Sequence, residues 1–302
     1  MSLKIECLLE CENHLGEGPV WDVKEGALYW VDMLEQEIWR YEPTSGKTKT
    51  WKLPKVVGAF SMREQGGAVI TMRDGFYFFD PETGTTELIQ EVDADEPRSM
   101  FNDGKVDRAG RFFAGGEDEV SERAMCGLFR LDADLSVHEL ERGIICNNGP
   151  CWSPDNKTFY HTDSFKQSIY AYDYDFASGD ISNKRVFASS EEERGVFDGS
   201  TVDEEGYIWN ARFMTGELVR HAPDGTIERR IDLPVPTTTS VMFGGDNLDE
   251  AYITSMARID WAGPTVREHF PGGDAGLPAA AGNVFKVTGL GVRGLPEHRF
   301  AG

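Results

Sequence analysis

Four oxygen-bearing side chains occupy equivalent positions in a pattern that recurs along the chain. The pattern reads Glu-Gly-Pro-Val-Trp from Glu17, Asn-Asp-Gly-Lys-Val from Asn102, Asn-Gly-Pro-Cys-Trp from Asn148 and Asp-Gly-Ser-Thr-Val from Asp198. In each case a carboxylate or carboxamide closely precedes a glycine and a short apolar run that is typical of a β-strand. A repeat that keeps the same kind of polar group at the same point predicts that these side chains meet in space.

Such a meeting of oxygen atoms indicates a cation site. Carboxylates and amide oxygens gathered in a partly buried place repel one another and stay poorly satisfied unless a positive charge lies among them. A divalent cation is the simplest such charge. Aspartate and asparagine before glycine are also ordinary turn formers, so each position taken singly favours a turn over a ligand, and only their recurrence in the repeat reverses that judgement. Glu17 argues for the site, because glutamate is a poor turn residue and Gly16 and Gly18 already permit the bend.

The elements that must position these residues are almost entirely strands. Short alternating or β-branched and aromatic runs are separated by turns rich in Asp, Gly, Asn and Pro, and long helical patterns are missing. The period of about 40 to 50 residues, with four strands in each unit, is typical of a β-propeller. The units begin near Glu17, Gly58, Asn102, Asn148, Asp198 and Ser240.

The sequence therefore predicts an all-β fold, a six-bladed propeller with four antiparallel strands per blade, as a single domain over residues 1–302. The leading strand at Ile5–Leu9 lies outside the six units and is predicted to pair within the last blade, which closes the ring. A β-sandwich or two smaller all-β domains is the alternative. The regular period and the absence of a linker-like change in composition argue against it.

Composition and charge limit the partners. With 52 acidic against 30 basic residues, the formal net charge is -22, which repels nucleic acid and anionic membranes. Neither a signal segment nor an apolar run long enough to cross a bilayer is present, so we predict a cytoplasmic protein, a monomer or a weak homo-oligomer. Five cysteines without a CxxC pair predict free thiols.

The motifs resemble those of the senescence marker protein/regucalcin/gluconolactonase family. The similar segments span essentially the full chain and keep the family's order. They are Gly16 to Trp21, Phe101 to Asp107, Asn148-Gly149, Asp198-Gly199 and the ending Phe285 to Val292. The resemblance implies a six-bladed propeller that holds one divalent metal and hydrolyses sugar lactones. It also implies that Glu17, Asn148 and Asp198 are the metal ligands and that Asn102 contacts the substrate.

The chain departs from the family pattern at one substrate position. Members often have an arginine two residues before the asparagine of the Phe-Asn-Asp motif, and here that residue is Met100. Arg98 would face the same side of an extended strand, and its longer side chain is a candidate for the same contact. The resemblance also implies a glutamate just after the second strand of this blade. Glu117 and Glu119 both compete for that role, with Glu119 preferred.

The predicted function is metal-dependent opening of an aldonolactone of the gluconolactone type to its aldonic acid. Ca²⁺ is the first choice of metal, with Mg²⁺, Mn²⁺ or Zn²⁺ as alternatives, because an all-oxygen ligand set suits hard cations. The metal would polarise the carbonyl, and either Asp198 or metal-bound hydroxide would activate the water. Two other functions stay open: a calcium-binding or regulatory propeller without turnover, and hydrolysis of phosphotriesters.

Overall fold

A computed structural model describes residues 2–302 and contains six four-stranded antiparallel sheets. The inner strands of successive sheets contact one another in turn around a common axis. The inner strand of the sixth sheet contacts the inner strand of the first. The chain is therefore a six-bladed β-propeller, and the fold predicted from the sequence is confirmed.

The strands follow the chain order, from the axis outward in each blade. Strand β1 is Lys4–Leu9, and blade 1 consists of β2 (Gly16–Asp22), β3 (Ala27–Asp32), β4 (Glu37–Glu42) and β5 (Lys47–Lys52). Blade 2 has β6 (Val57–Met62), β7 (Ala68–Met72), β8 (Gly75–Asp80) and β9 (Thr85–Glu91). Blade 3 has β10 (Ser99–Val106), β11 (Phe112–Asp118), β12 (Cys126–Leu131) and β13 (Val137–Ile144).

The remaining blades follow the same order. Blade 4 has β14 (Asn147–Trp152), β15 (Thr158–Asp163), β16 (Ser168–Tyr174) and β17 (Ile181–Ser189). Blade 5 has β18 (Val196–Val202), β19 (Ile208–Phe213), β20 (Glu217–His221) and β21 (Ile227–Asp232). Blade 6 has β22 (Thr238–Gly244), β23 (Glu250–Ser255) and β24 (Val284–Thr288), and its outer strand is β1.

Strand β1 closes the ring as predicted. It runs antiparallel to β24, with Ile5 opposite Val287 and Cys7 opposite Phe285. The first strand of the chain thus becomes the outer strand of the last blade. Pairing the two ends of the chain in one sheet means that β24 is not left as the edge of the last blade.

The core lies between the blades. Strand β2 is buried along its whole length, whereas the outer strand β5 is exposed except at Trp51. Aromatic pairs join neighbouring blades: Tyr29 stacks on Phe60 at 4.7 Å between ring centroids, and Phe113 meets Trp152 edge-on at 5.1 Å. Because stacked and edge-on rings bury large areas in fixed orientations, these pairs hold the angle between blades as well as their spacing.

Every inner strand has a β-bulge at the same place. The register with the second strand shifts between Glu17 and Val20 in blade 1, and between Asn148 and Cys151 in blade 4, and the other four blades show a shift at the matching point. A bulge bends the strand and redirects one side chain. The repeated motif at the start of each inner strand is therefore the sequence of a bulge that turns a polar side chain toward the axis.

Two connections rise above one end of the propeller. The segment 257–283 between β23 and β24, which we call the cap, contains the short helix α1 (Pro264–His269) and a one-turn 3-10 helix, Asp274–Gly276. A second 3-10 turn is Ser164–Lys166. Carboxylate oxygen Oδ1 of Asp274 accepts hydrogen bonds from the amides of Ile259 and Asp260 and so joins two parts of the cap to each other. Within residues 2–302 no helix has the length and apolarity needed to span a bilayer.

Candidate metal centre

A cavity opens at the end of the propeller that the cap covers. Its polar side is lined by Glu17, Asn102, Glu117, Asn148 and Asp198. These residues come from the inner strands of four blades and from the end of β11. The structure thus brings together the four repeated oxygen-bearing side chains and one of the two competing glutamates.

Glycine makes this convergence sterically feasible. Gly18 and Gly149, which follow Glu17 and Asn148, adopt φ of 52° and 55°, a left-handed conformation that other residues rarely accept. A side chain at Gly149 would overlap Ser200 of the next inner strand, and one at Gly199 would overlap Ser240. The glycine after each polar residue therefore lets neighbouring inner strands approach closely, so the polar side chains share one cavity.

Asn102 and Asn148 are fixed by a shared network of hydrogen bonds. The Asn102 amide nitrogen donates to the backbone carbonyl of Asn147 at 2.8 Å and to Asn148 Oδ1 at 3.2 Å. The Asn148 amide nitrogen donates to Ser164 Oγ at 2.9 Å. With its nitrogen held by Ser164, Asn148 keeps its amide oxygen on the side of Asn102 and the cavity. This orientation is the one that cation binding requires.

Glu17 and Asp198 are two buried carboxylates with little compensation. Glu17 is 3% exposed and Asp198 is 8% exposed, and Asp198 Oδ1 makes no hydrogen bond in the structure. Loss of hydration, and then the charge of Asp198, raise the pKa of Glu17 well above its ordinary value. Burial, followed by the charges of Asp103 and Glu117, raises the pKa of Asp198 in the same way. An ionised pair at this place is unfavourable without a cation.

The lysine nearest to this pair serves another part of the channel. Lys105 Nζ donates to the backbone carbonyl of Ser200 at 3.0 Å and lies 3.9 Å from Glu297. Its positive charge opposes the effect of burial on the pKa of Asp103, which also accepts hydrogen bonds from the amides of Gly104 and Gly149. Asp103 is therefore partly compensated by the protein, although burial still raises its pKa. Glu17 accepts one hydrogen bond, from the Gly18 amide at 2.7 Å, and no lysine or arginine among the described residues pairs with Glu17 or Asp198.

These residues fit a divalent metal ion. The fit rests on the unbonded, buried oxygen of Asp198, on the mutual repulsion of the two carboxylates and on the oriented amide oxygen of Asn148. Over residues 2–302 no three acidic, histidine or cysteine side chains gather closely enough to hold a metal by themselves, so the carboxamide is needed as the third ligand. Hard cations accept such mixed carboxylate and amide oxygens, with water in the remaining positions.

Of the two competing glutamates, Glu117 reaches the cavity. Its Oε2 accepts a weak hydrogen bond from Cys146 Sγ at 3.4 Å, and its Oε1 is buried without a partner. Burial raises the pKa of Glu117 to about 7. Glu119 instead pairs with Arg73 at 2.9 Å, because β11 ends at Asp118 and the chain turns there. The preference for Glu119 from sequence is thus reversed by where the strand ends.

Arg98 and Met100 do not line the cavity. Arg98 forms a two-pronged ion pair with the buried carboxylate of Asp118, with its Nε at 2.6 Å. Met100 is 2% exposed and lies in a separate small cavity beside Arg73. The bulge between Phe101 and Asp103 interrupts the two-residue alternation of β10, so Asn102 does not share a face with Met100 and Arg98.

The apolar side of the cavity could not be foreseen from the repeated motifs. It includes Phe165, which follows β15, and Trp261 and Val266 of the cap. These residues belong to the connections between strands, which carry no repeated motif that would indicate a role in the cavity. The only sequence signal is an aromatic or aliphatic side chain within a stretch otherwise rich in Gly, Pro and Ala.

Comparisons with known proteins find relatives in both sequence and fold. The family model described as SMP-30/Gluconolactonase/LRE-like region matches residues 15–257. Regucalcin of Sus scrofa is 38% identical over 307 residues, covering 100% of this chain and 99% of the relative. The solved structure of a luciferin-regenerating enzyme superposes with a TM-score of 0.90 at 29% identity, covering 99% of this chain and 100% of the other.

A calcium-binding protein, regucalcin, from Agrobacterium tumefaciens superposes with a TM-score of 0.87 at 27% identity, covering 97% of this chain and 96% of the other. The family model matches well over half of the chain, and the regucalcin relative matches its full length. The chain belongs to the SMP-30/gluconolactonase/LRE-like family.

Proposed function

We propose that this protein is a divalent-metal-dependent hydrolase that opens a lactone ring to the corresponding hydroxy acid. The observation that supports this most is the buried pair Glu17 and Asp198, facing one cavity with the oriented amide of Asn148 and without a compensating cation. Glu17, Asn148 and Asp198 would hold the metal, with Ca²⁺ as the first choice. When bound, the cation supplies polarisation of the lactone carbonyl.

The remaining steps belong to residues of the chain. The oxygen of water would bond to the carbonyl carbon while Asp198, whose Oδ1 is buried without a hydrogen-bond partner, accepts a proton from that water. The carbonyl would then re-form as the ring C–O bond breaks, and the proton held by Asp198 would pass to the ring oxygen, which becomes the hydroxyl of the product. Asn102 and Glu117 face the same cavity and can hydrogen-bond to the ring substituents. The reaction involves no change of oxidation state.

A binding protein without turnover is the competing function, because one solved relative is described as a calcium-binding protein. Acid release from a panel of aldonolactones and simpler lactones separates the two. We expect release to fall at least about 100-fold in chelator and to return with added Ca²⁺, Mg²⁺ or Mn²⁺. Tight Ca²⁺ binding without chelator-sensitive release from any lactone in the panel would favour the binding protein.

A matched pair of glutamate variants tests the assignment of substrate contacts. Glu117→Gln is expected to lower kcat/KM by roughly 10- to 100-fold, because a carboxylate inside the cavity becomes a neutral amide. Glu119→Gln is expected to change kcat/KM by less than about threefold, since it disturbs only an exposed pair with Arg73. Steady-state kinetics on the same lactone measure both. Equal losses in the two variants would contradict the assignment.

A further inference from the structure

We propose that the cavity selects a lactone with an apolar substituent over a polyhydroxylated one, and that Trp261 of the cap contacts this substituent. The inference rests on the proposed function and narrows it. It comes from the apolar wall of the cavity, by which we mean the lining residues Leu15, Phe165, Val196, Phe213, Trp261 and Val266. The described residues that line the cavity include no arginine, lysine or histidine.

The apolar wall is firmly built. Leu15, Val196, Phe213 and Val266 belong to one buried cluster that also packs blades 1 and 2 together, and Phe165 packs against it. The cap is held over the mouth, where Gly263 lies so close to the Val120 carbonyl that any side chain there would overlap it. A rigid wall of this kind favours an apolar group by the area removed from water.

Trp261 is the one member of the wall that is still exposed, at 37% of its surface. An indole ring left accessible at the mouth of an otherwise buried apolar wall is a surface that a substituent can cover. The gain would come from burial of both apolar surfaces, with no hydrogen bond required. The chemistry of the wall thus matches an alkyl or aryl group.

The amide and thiol donors that line the cavity are already engaged, which leaves the hydroxyl groups of Ser121 and Ser164 as donors to sugar hydroxyl groups. The amide nitrogen of Asn102 is shared between Asn147 and Asn148, and that of Asn148 is bonded to Ser164. The thiol of Cys146 points to Glu117, and the hydroxyl of Thr239 is bonded to the carbonyl of Gly16. A polyhydroxylated ring would bury several hydroxyl groups against the apolar wall, and each unpaired group costs binding energy.

The test compares γ-butyrolactone, γ-octalactone and galactono-γ-lactone on the metal-loaded full chain. We expect kcat/KM for γ-octalactone to exceed that for the sugar lactone by at least about tenfold. In Trp261→Ala, the ratio of kcat/KM for γ-octalactone to that for γ-butyrolactone should fall roughly tenfold, and Trp261→Phe should restore most of it. Phe176→Ala, an exposed aromatic on a distant turn, is the control and should leave this ratio unchanged.

Lactone binding is measured separately from turnover, so that the proposed lactonase activity and the proposed apolar preference can be tested independently. Calorimetric titration with each lactone at low temperature reports affinity even if no ring is opened. The apolar preference would be overturned if galactono-γ-lactone were hydrolysed faster or bound more tightly than γ-octalactone. It would also be overturned if Trp261→Ala had the same ratio of kcat/KM for γ-octalactone to that for γ-butyrolactone as wild type. Either result would leave the proposed lactonase activity intact. Tryptophan-dependent binding of γ-octalactone with no hydrolysis of any lactone would overturn the lactonase and retain the preference.

Discussion

Replacing Asp198 with asparagine is expected to lower kcat/KM for lactone hydrolysis by about three orders of magnitude. Asparagine has nearly the same shape and keeps one oxygen for the cation, but it cannot accept a proton from water. Asp198 Oδ1 is buried and makes no hydrogen bond, so it is available to accept that proton. Steady-state kinetics with metal content measured on the same sample check this expectation.

The control for this variant is Asp224→Asn, which alters an exposed turn of blade 5. It should leave both turnover and metal content unchanged. If Asp198→Asn retains metal and loses less than about tenfold in kcat/KM, proton transfer must be assigned to another group. Loss of metal together with turnover would show that Asp198 acts first as a ligand, and a titration with excess Ca²⁺ would then separate the two contributions.

Glu17→Gln should stabilise the metal-free protein and abolish its stabilisation by Ca²⁺. In wild type without metal, the buried carboxylate is opposed by loss of hydration and by Asp198. A neutral amide of the same shape removes that penalty, which we place at about 1–3 kcal/mol in the free energy of unfolding at neutral pH. Thermal unfolding in chelator and in Ca²⁺ measures both effects.

The stability of the metal-free protein should depend on pH in a definite direction. Because the folded state raises the pKa of Glu17 above 4.5, it binds more protons than the unfolded chain as pH rises past that value. The stability of the metal-free protein should therefore decline with rising pH from about 4.5 toward neutrality. The decline should be smaller in Glu17→Gln, and the exposed variant Glu191→Gln should behave as wild type. A Tm of Glu17→Gln in chelator below that of wild type would refute this account.

The expected results for Asp198→Asn and Glu17→Gln indicate that the residues of the site lower the stability of the metal-free protein. Carboxylates are kept where burial disfavours their charge, and removal of one is expected to increase stability while activity is lost. This opposition is common at functional sites, where residues chosen for chemistry are not those that stabilise the folded chain. In this protein the cation is the element expected to reconcile the two requirements.

The fold could be predicted because each blade repeats a local pattern. Four strands in each unit, turns at regular intervals and a period matched to one blade indicated the propeller, and the outer position of β1 followed from the need to close a sheet edge. The convergence of Glu17, Asn102, Asn148 and Asp198 followed from the same repeat. Glu17, Asn148 and Asp198 directly precede a glycine of an inner strand, Asn102 lies one residue further from its glycine, and inner strands surround the axis.

Individual side chains at the cavity were less predictable. Glu117 and Glu119 differ in environment because β11 ends between them, and the end of a strand is decided by its pairing with neighbours. Met100 and Arg98 were expected near Asn102 on the assumption of an unbroken strand. The bulge at Phe101 invalidated that assumption, since one extra residue exchanges the two faces of the strand beyond it.

The sequence by itself determined the propeller, the ring closure and the shared position of four polar side chains, because these properties depend on local periodicity. Only the tertiary structure decided which glutamate enters the cavity, where Arg98 and Met100 lie, and that Trp261 and Phe165 form an apolar wall. Those properties depend on strand ends, on a bulge and on two connections that meet above the axis. Contacts of this kind join residues far apart in the chain, and no repeat encodes them.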